Sequence, residues 1–291
     1  MQQVSQNERK RGWINGFIGM LIFSGSLPAT KAAVLEFDPL FLTAARATIA
    51  GLLSFGMLLL YKETLPTLRQ WISLTVVSLG VVVGFPLLTA IALQEMTSAH
   101  SLVFLALLPL STAIFAVIRG GEKPRPIFWL FSIIGSLLVM GYAISQGGTS
   151  SISANILMIA SVIVCGLGYA EGATLTRSLG GWQVICWALI FSLPIMFILT
   201  FILMPVSLSV IGTSAWVGLG YVSLFSMLIG FIFWYKGLSQ GGIAAVGQLQ
   251  LLQPFFGLAL AATLLNESVN IIMLLVTIAV IFCVAGSRKY A

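Results

Sequence analysis

Apolar runs of about 20 residues, the length of helix that crosses a bilayer core, follow one another along nearly the whole chain. They extend from Trp13 to Val34, Leu40 to Leu60, Trp71 to Leu93, Ser98 to Ile118 and Ile127 to Ser145. Five more extend from Ile152 to Thr176, Trp182 to Leu203, Gly212 to Tyr235, Ile243 to Leu265 and Ile271 to Gly286. Composition excludes an ordinary soluble globule: 59% of residues are hydrophobic, 8% are charged and the mean hydropathy is +1.07, against roughly 25% charge in soluble domains. An all-α integral membrane protein with ten transmembrane helices is expected. Connections of no more than about ten residues set each helix antiparallel to its successor and leave no space for a soluble domain.

The ninth run is interrupted by Pro254, flanked by Gln248, Gln250 and Gln253, and it closes on Asn266-Glu267. A shift of 145 residues carries Pro254 onto Pro109, Glu267 onto Glu122 and Gly286 onto Gly141. The chain therefore reads as two copies, at 13–145 and 152–287, between a basic N-terminal segment at 1–12 and a short C-terminus at 288–291. An odd number of helices per copy makes the second copy enter the membrane upside down, giving two inverted five-helix repeats. Proline leaves a helical carbonyl without its donor, and two related helices broken at matching points mark the central site of a transporter. Pro28, Pro109 and Pro254 are the candidate hinge or cavity-shaping residues.

Charge orients the bundle. Arg9, Lys10 and Arg11 precede the first helix, Lys62 and Arg69 follow the second, and Arg119, Lys123 and Arg125 follow the fourth; Arg177, Lys236, Arg288 and Lys289 follow the sixth, eighth and tenth. The intervening loops carry no Lys or Arg. By the positive-inside rule both termini are cytoplasmic, and the net charge of +6 is this asymmetry, so no nucleic-acid partner is needed to explain it. The Gly-Gly pairs at Gly120, Gly147, Gly180 and Gly241 all fall between spans, where positive φ is useful. The basic, then apolar, N-terminus imitates a secretory signal, but the run is too long and lacks a clear small-x-small site; it is expected to stay as the first span.

Enzyme chemistry is poorly supplied. With one histidine, His100, and one aspartate, Asp38, neither a zinc helix nor an aspartate pair can be assembled, and no metal or cofactor is expected. Cys165, Cys186 and Cys283 lie in apolar spans without paired spacing and read as packing residues. Gly168 and Gly172, like Gly80 and Gly84, fit the small-xxx-small pattern of close helix crossings.

Polar residues within the spans are the functional candidates, because burying them in lipid is costly. Ser24, Pro28 and Lys31 share one face of the first helix; Lys31 either snorkels to the interface or contacts substrate. Arg46 either pairs with Glu36, Asp38 or Glu95 or meets a ligand. Glu171 either pairs with Lys236 or Arg119 or carries a proton. Gln250 and Gln253 share a face of the ninth helix with Gly257, beside the Pro254 break, and their amides can hydrogen-bond a carboxylate or an amine. Tyr169 lies inside its helix as a stacking partner for a ring, whereas Trp234 and Tyr235 are expected in an interfacial aromatic belt.

Lys31, Pro39 and Arg46, the prolines Pro109 and Pro254, and Gly121-Glu122 followed by Gly135 and Gly141 carry a resemblance to the drug/metabolite transporter superfamily, specifically its EamA-type ten-helix exporters, from about Trp13 to Lys289. The second copy repeats Glu267 and Gly286 but has Asn266 and Val280 where the pattern has glycine. The resemblance implies a secondary active transporter of the inner (cell) membrane that exports small metabolites, amino acids among them, or drugs by alternating access. It implies a midplane cavity lined by the third, fourth, eighth and ninth helices with parts of the first and sixth, around a peripheral scaffold of the second, fifth, seventh and tenth. Ser24, Lys31, Tyr169, Gln250 and Gln253 are the expected substrate contacts, with Arg46 and Glu171 as coupling or ion-pair residues. The expected partners are a small-molecule substrate and the lipid bilayer, with the chain working as a monomer. A channel, or an intramembrane enzyme or scaffold without flux, is the alternative.

Overall fold

The computed structural model describes residues 6–145, 147, 150–257 and 271–291, and among these the regular structure is helical apart from one isolated bridge between Met96 and Ser150. Nine helices in the described residues are long and apolar enough to cross a bilayer. They are α1 (Gln6–Val34), α2 (Pro39–Leu60), α3 (Leu68–Ala92), α4 (His100–Ile118), α5 (Pro126–Ser145), α6 (Ile152–Leu179), α7 (Gly181–Ile202), α8 (Thr213–Gly241) and α10 (Ile271–Tyr290). Between the last two, α9 comprises an α-helical turn at Ile243–Gly247, a 3-10 stretch at Gln248–Leu252 and a further helical piece over 253–257. The rest of the expected ninth span, with Asn266 and Glu267, lies outside the described residues.

The bundle is apolar on its outside. Leu52, Phe55 and Leu59 of α2 and Leu275 and Phe282 of α10 are exposed, as suits a protein whose solvent is lipid and whose backbone polar groups are satisfied within each helix. Helix starts are chemically specified: Asp38 Oδ1 accepts from the Leu40 and Phe41 N–H groups at 2.8 and 3.2 Å, with Pro39 in the first turn, and Ser151 accepts from Ala154 N–H at 3.1 Å. One glycine of each Gly-Gly pair takes a positive φ, at Gly121, Gly147, Gly180 and Gly242. Gly180 ends α6 and starts α7, and Gly242 ends α8 and starts α9, so each reversal is made in one residue.

The starts of α1 and α5 and the end of α10 share one end of the bundle: Arg288 lies over the Trp13 ring at 4.8 Å, and Arg125 N–H reaches Tyr290 O at 3.0 Å. At the opposite end Glu36 accepts from Gly212 N–H at 2.6 Å, and Ser151 and Ser153 donate to Glu95, holding its carboxyl below the usual range.

Helix pairing follows the internal repeat. α2 lies on α7, α4 on α9 and α5 on α10, each against its counterpart, while α1 packs along α8 as α6 packs along α3. The α1–α8 crossing is built from glycines: a Cβ at Gly12 would stand 2.4 Å from Gly241 N, and one at Gly237 would stand 2.5 Å from Gly16 N. In the α3–α6 crossing a Cβ at Gly80 would lie 2.7 Å from Val164 O and 3.0 Å from Gly168 Cα. Irregularities also recur in register. A π-helical stretch interrupts α3 at Ser78–Gly84 and α8 at Val222–Ile229. The fourth helix breaks between Ser98–Leu105 and Leu108–Ile118, just ahead of Pro109, where α9 has its 3-10 stretch ahead of Pro254.

The aromatic belt expected at Trp234 and Tyr235 is not what these residues form. Both are fully buried, because α8 runs on to Gly241 and so places them well inside the helix. Trp234 meets Phe23 and Tyr169 at ring distances of 5.9 and 5.5 Å, and the Tyr235 hydroxyl donates to Gly168 O at 3.2 Å.

Candidate functional site

The site begins with a discontinuity in α1. Pro28 has no N–H to offer the carbonyl four residues earlier, and the helix divides at Gly25 into Gln6–Ser24 and Ser26–Val34. One residue before the Ser24 carbonyl that Pro28 leaves without a donor, the Phe23 carbonyl accepts from Gln253 Nε2 at 3.1 Å. Gly257 lets the two backbones approach, since a Cβ there would stand 2.9 Å from Ser24 O. The breaks in α1 and α9 therefore meet.

Beside this junction lies a narrow cavity of ≈ 30 Å³, walled by parts of α1, α2, α3, α4, α6, α8 and α9. Phe23, Phe85, Tyr169 and Phe231 supply aromatic surface, and Ser26, Thr30, Arg46, Thr89, Ser226 and Gln253 supply the polar groups. Three pairs of repeat counterparts line it together: Val81 with Ser226, Pro86 with Phe231, and Leu108 with Gln253. Towards the end that carries the termini the cavity is floored by rings, with Phe23–Phe231 at 5.1 Å, Tyr169–Phe231 at 5.9 Å and Phe231–Tyr235 at 5.3 Å. Ser226 sits in the π-helical stretch of α8 and accepts from Ser26 Oγ at 2.8 Å and from Arg46 Nη2 at 3.4 Å. π-Bulges recur at functional sites because they re-aim side chains.

The expected site residues divide into several groups. Tyr169, Gln253 and Arg46 line the cavity. Gln250 stands behind it, its Nε2 donating to Tyr169 Oη at 3.2 Å and thereby fixing that ring. Ser24 is turned back into its own helix, donating to Met20 O at 3.0 Å. Lys31 donates to the carbonyls of Leu93 and Met96 at 2.5 and 3.2 Å, capping the end of α3 and standing outside the cavity wall; cations are favourable at such an end. Pro28 is exposed, whereas Pro109 and Pro254 are buried next to the lining residues Leu108 and Gln253. Glu171 forms an ion pair with Arg119, Oε2 to Nε at 2.7 Å, and this carboxylate keeps the Arg119 guanidinium above its ordinary pKa. The pair ties α6 to the end of α4.

The second helix was expected to be peripheral scaffold, yet it supplies Arg46 to the cavity, because α2 crosses the π-helical stretch of α8. The carboxylates considered as partners for Arg46 are all engaged elsewhere: Asp38 at the start of α2, Glu36 on Gly212 N, and Glu95 on two serines. Ser26, Ser226, Thr30 and Thr89 escaped the sequence reading, since single hydroxyls in apolar runs carry no periodic signal. Glu122, readable only as part of a motif, caps another helix: Oε1 accepts from Ile243 N–H at 2.6 Å and Oε2 from Ala244 N–H at 2.9 Å, at the start of α9. Among the described residues no group of three or more His, Cys, Asp or Glu side chains is placed to hold a metal ion.

An apolar-surfaced helical bundle with broken helices meeting at an internal polar cavity defines a multi-pass membrane transporter. The chain matches the EamA-like transporter family over residues 10–143 and again over 152–287, and it belongs to that family. It is 64% identical over 285 residues to the uncharacterized transporter YdeK of Bacillus subtilis (strain 168), covering 98% of this chain and 99% of that one. An uncharacterized transporter of Archaeoglobus fulgidus is 24% identical over 85% of this chain and 87% of its own. A shorter likeness, 31% over 109 residues and 36% of this chain, is to the S-adenosylmethionine/S-adenosylhomocysteine transporter of Chlamydia muridarum (strain MoPn / Nigg), of which it covers 34%. A crystal structure 17% identical in sequence shares the fold, with a TM-score of 0.79 over 96% of this chain and 99% of the other.

Proposed function

We propose that this protein is a secondary active transporter of the cell membrane that exports small metabolites, amino acids or related compounds, or drugs by alternating access between two inverted five-helix halves. The observation that carries the reading is the composition of the cavity wall, in which three residues of one copy face the cavity together with their counterparts in the other. A cavity on the axis between two copies is where rocking one half against the other exposes a ligand first to one side and then to the other. The paired π-helical stretches and paired proline breaks supply the matched deformable points such a motion needs. The Chlamydia relative, named for S-adenosylmethionine and S-adenosylhomocysteine, adds these two compounds to the substrates worth testing. One chain encloses a whole cavity, which supports function as a monomer.

Cytoplasmic termini are supported by the basic residues, twelve of which, from Arg9 to Lys289, flank the spans on the side that carries the termini. In intact spheroplasts, Ser150→Cys should react with a membrane-impermeant maleimide and Glu63→Cys should not; the reverse pattern would sink the orientation. Function itself is tested by uptake of labelled compound mixtures into proteoliposomes containing the purified chain. Accumulation that depends on an imposed proton or sodium gradient is the expected result. Downhill flux insensitive to both gradients would replace the transporter with a channel.

A further inference from the structure

Among the described residues the Arg46 guanidinium is the one strong charge on the cavity wall, and it is nearly unpartnered. The residue is 94% buried, at 6% relative exposure. Of its five N–H donors only one, on Nη2, has an acceptor among the described residues, the Ser226 hydroxyl at a long 3.4 Å. Its Nε is buried without an acceptor, as is the hydroxyl of Thr89 on the same wall. No carboxylate of the described residues lies within ion-pair distance of it, and none lines the cavity.

A cation withdrawn from water without a counter-charge is among the most expensive groups a protein can hold. In a membrane bundle such a group faces a cavity and marks what the cavity binds. Guanidinium presents a planar fork that matches a carboxylate in two parallel hydrogen bonds. The hydroxyls of Ser226, Thr30 and Thr89 stand on the same wall as further donors, while Phe23, Phe85, Tyr169 and Phe231 offer an apolar or ring-stacking surface.

We infer that this cavity binds a small organic carboxylate with an apolar or aromatic body, carried with its carboxylate on Arg46 and its body against the aromatic rings. The inference rests on the transport reading above and narrows it. A net anion satisfies Arg46, whereas the ammonium of a cationic drug finds no acidic side chain on this wall and adds like charge to it. A zwitterion is bound through its carboxylate alone.

The test measures binding, so it is independent of flux. Cys165, Cys186 and Cys283 are free and buried, so a thiol-reactive fluorogenic maleimide reports thermal unfolding of the full-length chain in detergent. Phenylacetate should raise the melting temperature by a few degrees, while phenylacetamide, phenethylamine and inorganic phosphate should not. Arg46→Gln should weaken phenylacetate binding at least roughly thirty-fold, and Arg46→Lys should retain part of it. Arg46→Met should melt no lower than the wild type without ligand, because it removes an uncompensated charge rather than a structural pair. The inference is overturned if the amide or the amine stabilises as well as the acid, if no shift occurs with phenylacetate, or if Arg46→Met melts several degrees lower. Carboxylate binding without any flux would leave the inference standing and remove the transporter. Flux of amines unaffected by Arg46→Gln would do the opposite.

Discussion

Replacing Glu122 tests whether the start of α9 is held from outside its own segment. The Glu122 carboxylate takes two backbone N–H groups, of Ile243 at 2.6 Å and Ala244 at 2.9 Å, and these are among the four donors that any helix leaves unpaired at its start. Gly242 precedes them and has no side chain to cap with. Hydrogen bonds to a charged acceptor contribute roughly 1.5–3 kcal/mol each, and a further few tenths come from a negative charge at the positive end of the helix dipole. Glu122 is half-exposed, so water replaces part of what is lost, and the net cost of Glu122→Ala is about 2 kcal/mol. At roughly 2 °C per kcal/mol for a long chain, the melting temperature should fall by about 4 °C in the thiol-reactivity assay. Glu122→Gln keeps one acceptor oxygen and turns an amide N–H towards the other donor, so it should fall by at least half as much. Lys123→Ala, one residue on and exposed, is the control and should not change. A Glu122→Ala protein that melts with the wild type would refute the cap, and a Gln variant less stable than Ala would refute the donor count.

The remaining tests concern one ion pair and one helix crossing. Arg119 is 46% exposed in its side chain and Glu171 only 6%, so Arg119→Gln strands a buried carboxylate while Glu171→Gln strands a wetted cation; the first should lower the melting temperature more, and the opposite order would show that burial does not set the cost. Gly237→Val pushes a side chain into the α1 backbone, where a Cβ would already lie 2.5 Å from Gly16 N, and it should abolish folded, monodisperse protein. Gly56→Ala, with nothing within 4 Å of its Cβ, should purify normally, and equal yields from the two variants would contradict the close α1–α8 approach.

What the sequence made legible was whatever depends on neighbours along the chain. Apolar run length placed the described spans, and Gly-Gly pairs placed the reversals, because bilayer thickness and positive φ act on local segments. The proline breaks were legible for the same reason. Arg46 was harder: its environment is set by which helix crosses α2, and no local pattern says that Ser226, on α8, will face it or that three nearby carboxylates will be engaged elsewhere. Trp234 illustrates a boundary error with a physical cause. Lys236 looked like the end of the span, but the polar residues from Lys236 to Gln240 continue as helix to Gly241 against the glycines of α1, so the ring ends up inside. The α1–α8 glycine contacts were missed because Gly12 precedes the apolar run, although Gly12 with Gly16 and Gly237 with Gly241 have the same spacing as the glycines recognised in α3 and α6.

The two copies agree in backbone and differ in side chain, at the cavity as elsewhere along the chain. Matched π-helical stretches and matched proline breaks give both halves the same deformable points. At the cavity wall, however, Val81 answers Ser226 and Leu108 answers Gln253, so the first copy offers apolar surface at positions where the second offers hydrogen-bonding groups. Arg46 then joins the polar side through Ser226. Had both copies carried the same residues, exchanging the conformations of the two halves would return an equivalent state, and the outward and inward forms of the proposed cycle would have equal energy without ligand. The serine and glutamine remove that equivalence. Gln253 also holds the Phe23 carbonyl at the α1 break, a contact that Leu108 cannot reproduce in the other half, so in the proposed cycle exchanging the two conformations would not return the same set of contacts.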